Sequence, residues 1–135
     1  VRYDIVFDAP TPAEAYEQAP PLAQEAAAVA KLLRELEPEH RPAYLGTVLP
    51  SERREVLLRA AALAERTWWS ARTEEAANAA VRAAYAFLRH DWDDPCEVGG
   101  PIGPRSPEWD AEGGPRAYAR QEYLYWLTTP PGSAQ

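Results

Sequence analysis

The sequence predicts a mainly α protein: an irregular bundle of four to five helices, with a short N-terminal strand and an ordered Pro/Gly/Trp-rich loop before the last helix. Three observations predict it. Alanine supplies 26 of the 135 residues, and no residue has a higher intrinsic helix preference. Apolar residues recur at spacings of three and four in several segments between residues 22 and 88, which is the stripe of an amphipathic helix. Pro, Ser or Thr followed by acidic residues stands at the head of these segments, the composition of a helix start.

Residues 1–10 form a strand arm in this reading. Tyr3, Ile5 and Phe7 fall on one side and Arg2, Asp4 and Val6 on the other, the period-two pattern of a half-buried strand. A lone strand needs a partner. The candidates are residues 43–49, where Tyr44, Leu45, Val48 and Leu49 surround Gly46 and Thr47, or the same strand of a second copy, which would make a homodimer.

Residues 11–90 are the helical body. Thr11, Pro12 and Glu14 have the form of a capping box, and Pro20 and Pro21 stop that helix early. The second helix carries the stripe Leu22, Ala26, Val29, Leu33 and Leu36, closed by Pro38. The third opens at Pro50, with Ser51 as N-cap and Glu52 in the positive first turn. Its expected core face is Leu57, Ala60 or Ala61, Ala64 and Trp68, flanked by Val56 and Leu63. Thr73, Glu74 and Glu75 open the fourth, whose face of Ala77, Ala80, Val81, Ala84, Tyr85, Phe87 and Leu88 invites close helix packing.

Residues 91–115 change character, with seven acidic residues, five prolines, five glycines and two tryptophans. Loops this long without secondary structure are usually functional or disordered, and the apolar anchors Trp92, Ile102 and Trp109 argue for order. Residues 116–128 are the last helix, with Pro115 in its first turn and Tyr118, Tyr123, Tyr125 and Trp126 along it; residues 129–135 read as a frayed tail.

Composition narrows the function classes. The net charge is −7, and the acidic excess lies outside residues 51–90. A tight nucleic-acid binder needs a basic face, and Arg53, Arg54, Arg59, Arg66, Arg72, Arg82 and Arg89 share their helices with Glu52, Glu55, Glu65, Glu74 and Glu75. That pattern reads as a solvated helix surface, so nucleic-acid binding is not expected. Cys96 is the single cysteine and has no intramolecular partner. With no signal-peptide pattern and no apolar run of about 18 residues, a cytoplasmic protein with no membrane association is expected. Thirteen Arg against one Lys, with no Met, points to a GC-rich bacterial genome. Val1 then fits a GTG start and a complete small protein, the alternative being a piece of a longer chain.

No motif carries a specific chemistry. His90, Asp91, Asp93, Asp94, Cys96 and Glu97 hold metal-ligating groups within eight residues, but a calcium loop counted from Asp91 would need Gly where Cys96 stands, and zinc sites recruit paired Cys or His. His90 is better placed as a helix C-terminal residue favoured by the dipole, with the aspartates capping and facing solvent. Glu37 and His40 have the spacing of a di-iron half-site, yet Pro38 breaks the helix such a site needs. The acidic neighbours of Cys96 oppose a thiolate nucleophile. Gly99 to Arg105 lacks both the Lys-Ser/Thr ending of a phosphate loop and a preceding strand.

The reading therefore leans against an enzyme and expects no cofactor and no metal. It favours a small intracellular accessory, inhibitory or regulatory protein that binds another protein through an acidic, aromatic C-terminal surface. Trp69, Tyr85, Trp92, Asp93, Asp94, Trp109, Tyr123 and Trp126 are the candidate contact residues, since aromatic side chains dominate interface hot spots. The alternative is a small enzyme or ligand-binding bundle with a pocket between the fourth helix and residues 91–115.

Overall fold

A computed structural model describes residues 9–129 of the chain. Five α-helices follow in order: α1 (Pro12–Tyr16), α2 (Leu22–Leu36), α3 (Pro50–Ala71), α4 (Glu74–Asp93) and α5 (Gly114–Thr128). Short 3-10 turns at Pro38–His40, Ala43–Leu45, Pro95–Glu97 and Pro107–Asp110 punctuate the connections. The long α3 is the hub, packing against α2, α4 and α5, while α5 also reaches α1 and α4. Among the described residues there is no strand, and the alternating segment at 1–8 lies outside them.

The helix starts follow local chemistry. The Thr11 hydroxyl accepts from the Glu14 N–H at 3.2 Å while the Glu14 carboxylate accepts from the Thr11 N–H at 2.9 Å, a complete capping box. Thr73 caps α4 by accepting from the Ala76 N–H at 3.1 Å. The α3 start differs from expectation: Leu49 is the cap residue, Pro50 is the first helical residue, and Glu52 accepts from the Leu49 N–H at 2.8 Å. Ser51 is thus inside the helix. Between α3 and α4 the chain turns in two residues, through Arg72 at φ +58° and then the Thr73 cap. The Arg72 guanidinium lies 4.5 and 4.6 Å from the Trp68 and Trp69 ring centres, cation–π contacts at a left-handed position that an L-residue rarely adopts.

Residues 43–49 are not a strand. Ala43–Leu45 is a 3-10 turn, and Gly46 follows at φ +68°, a conformation glycine takes without steric cost. The Arg41 guanidinium donates to the carbonyls of Glu35, Leu45, Gly46 and Thr47 at 2.5 to 3.3 Å and to the Glu52 carboxylate at 2.9 Å. Carbonyls that a strand would offer to a neighbour are occupied by one side chain.

Leu58, Ala61, Ala62, Ala84, Phe87, Leu88, Trp109, Tyr118, Ala119 and Tyr123 form the apolar core. Small residues, Ala61 and Ala62 of α3 and Ala84 of α4, sit in the core between these two packed helices, and Phe87 of α4 stacks on Tyr118 of α5 with ring centres 5.6 Å apart. Two expected stripes are rotated. On α2 the inward positions are Leu22, Glu25, Val29, Leu32 and Leu36, while Ala26 and Leu33 face outward. On α3 the buried face is Arg54, Val56, Leu58, Ala61, Ala62 and Glu65, while Leu57, Ala64 and Trp68 are half-buried. In both cases the inward line runs through charged residues.

Candidate functional site

Those inward charges form three carboxylate centres. Asp91 is fully buried on α4 and takes a bidentate pair from Arg54 of α3 at 2.7 and 2.8 Å, with the Tyr118 hydroxyl of α5 donating at 2.6 Å. Arg54 also donates to Glu122 of α5 at 2.8 Å. Glu122 further accepts from the backbone N–H groups of Gly99 and Gly100 at 2.9 and 2.8 Å and from the Gln121 amide at 2.9 Å. Glu25 binds Arg59 at 2.7 Å and the Tyr123 hydroxyl. Glu65 binds Arg116 at 2.9 Å, Arg120 at 2.5 Å and the Tyr16 hydroxyl. Burial opposes charge on Arg54, but the hydrogen bonds and charges of Asp91 and Glu122 outweigh it and hold its pKa above the usual arginine value.

The expectation that the acidic residues after His90 cap and face solvent is corrected for Asp91, and the solvated-surface reading is corrected for Arg54 and Glu65. Buried charges persist where partners satisfy them. Both oxygens of Glu122 and the Oδ2 of Asp91 each accept from two donors, and the Oδ1 of Asp91 accepts from Arg54 with the His90 Nδ1 3.4 Å away. Carboxylates engaged in this way hold α3, α4 and α5 together.

Residues 94–113 are organised by the same network. Glu122 fixes Gly99 and Gly100, and the Gln121 amide exchanges hydrogen bonds with the Ile102 backbone. The Trp109 indole N–H donates to the Gly103 carbonyl at 2.7 Å. A Cβ on Gly114 would lie 2.1 Å from the Trp109 carbonyl oxygen, so glycine is what lets α5 begin against that turn. Arg105 donates twice to the Trp92 carbonyl, at 3.1 and 2.8 Å, and its guanidinium lies 5.4 Å from the Trp92 ring centre.

Between α4 and this segment lies an open cleft of about 540 Å³. Tyr85, Leu88, Arg89 and Trp92 form its α4 wall, and Trp109, Asp110, Ala111 and Pro115 form the other. The α4 residues sit at spacings of three and four, one helical face. Tyr85 is 55% and Trp92 42% exposed, and Val81, one turn earlier, is 54% exposed. Arg89 pairs with Asp93 at 3.2 Å on the outer surface.

The expected site residues separate into four groups. Tyr85, Trp92 and Trp109 are brought together at the cleft, with Asp93 beside it through Arg89. Asp94 caps the next turn by accepting from the Cys96 N–H, and its hydrogen bond raises the thiol pKa of the exposed Cys96. Trp69 lies at the far end of α3 against Arg72. Tyr123 and Trp126 belong to the packed side of α5: Tyr123 is fully buried, and the Arg59 guanidinium lies over Trp126 at 5.1 Å. Trp109, 4% exposed, lines the cleft and belongs to the apolar core, so it is a core residue as well as a wall. Asp110 was missed in the sequence, where nothing distinguishes it from the other acidic loop residues.

At Pro38–His40 the turn brings Glu37, Glu39 and His40 to one exposed cluster, with the His40 Nδ1 3.1 Å from Glu37. Pro38 starts the turn, so this is no helical half-site. No helix among the described residues is long and apolar enough to cross a membrane. Comparisons of the chain with protein-family models, with curated proteins and with solved structures each gave no match.

Proposed function

We propose that this protein is a protein-interaction module, an accessory, inhibitory or regulatory partner that anchors a segment of another protein in the cleft between α4 and residues 94–115. One observation carries the reading: an apolar and aromatic face of α4, Val81, Tyr85 and Trp92, stays exposed beside a preformed cleft. Large exposed aromatics on a rigid helix are the usual anchors of interfaces, and a helix face left open this way matches the groove recognition of peptides. The buried ion-pair network supports it from the other side, since the titratable groups of the core are engaged in holding helices.

The test is affinity capture from the source cell with the wild-type protein and with the Tyr85→Ala/Trp92→Ala variant, followed by titration of the purified captured protein. The variant should fold and bind at least about 30-fold more weakly, the loss of one hot spot. Equal affinity of wild type and variant would refute the reading.

A second reading rests on the volume of the cleft, which lies in the usual range for small-molecule sites. A native mass spectrum showing a retained small molecule that the Trp92→Ala variant lacks would favour it over a protein partner.

A further inference from the structure

We draw no further inference here: the strongest candidate, the exposed cluster of Glu37, Glu39 and His40 at the Pro38–His40 turn after α2, rests on the proximity of three solvent-facing side chains, and no second feature among the described residues points to a ligand there.

Discussion

Replacing Asp91 with Asn keeps the side-chain volume and removes the charge at the centre of the Arg54–Asp91–Glu122 network. Asp91 is fully buried, accepts the bidentate Arg54 pair and takes the Tyr118 hydroxyl. Removing one partner of a buried pair costs about 3–5 kcal/mol. Arg54 keeps Glu122 at 2.8 Å, which places the loss near the lower end, about 3 kcal/mol. For a chain of 135 residues, an unfolding entropy of about 2.1 cal/mol/K per residue turns this into a fall in Tm of about 10 °C. Urea unfolding followed by tryptophan fluorescence measures it, with the slope m unchanged if the native state is otherwise intact. Asp93→Asn, which breaks an exposed pair with Arg89, is the control and should leave the midpoint in place. Arg54→Met should cost at least as much, because it leaves both Asp91 and Glu122 buried without their shared cation. A cost below about 1 kcal/mol for Asp91→Asn would refute the argument that buried charge pairing holds α3, α4 and α5 in register.

The tryptophans flanking the cleft separate core from surface: Trp109→Ala, at 4% exposure, should cost about 3–5 kcal/mol, while Trp92→Ala should leave the unfolding midpoint nearly unchanged in the same urea assay. Gly114→Ala pushes a Cβ to 2.1 Å from a backbone oxygen that cannot swing away, so it should cost about 3 kcal/mol, the upper end for overpacking, whereas Gly103→Ala, with nothing within 4 Å, should be silent. Burial, reinforced by hydrogen bonds to Glu65, Asp91 and Glu25, raises the pKa of Tyr16, Tyr118 and Tyr123 above the ordinary value. The unfolded chain releases these protons near pH 10 and the folded chain keeps them, so stability is fully present below about pH 10 and falls above it by about 1.4 kcal/mol per pH unit per tyrosine. Phenolate absorbance at 295 nm should therefore reach its full value only as helical circular dichroism is lost; full absorbance with the helices intact would contradict this.

Much of the helix framework was legible in the sequence because it rests on local chemistry. The Thr11 and Thr73 caps, the proline stops and the 3.6-residue periodicity each act within a few residues. The rotation of α2 and α3 about their axes was hidden because Glu25, Arg54 and Glu65 occupy core positions, and a hydropathy pattern assigns charges to solvent. A usable signal was present: Leu22, Glu25, Val29, Leu32 and Leu36 keep a three-four spacing as regular as the stripe through Ala26 and Leu33. Choosing between them needs the opposing charges of α3 and α5, which are distant in sequence. Residues 43–49 have the apolar content of a strand, but the hydrogen bonds of Arg41 decide their conformation, and a side-chain clamp leaves no periodicity to read. The cleft was half legible. Tyr85 and Trp92 stood out as aromatics near the expected pocket, whereas Tyr123 turned inward because Glu25 of α2 receives its hydroxyl.

The most direct measurement places a photo-crosslinking benzoylphenylalanine at position 85 on the exposed face of α4, and in a second variant at Tyr44, which is 87% exposed away from the cleft. Irradiation in the source cell should give one discrete protein adduct from position 85 and none from position 44. The same adducts from both positions, or none from position 85, would contradict a docking cleft on α4.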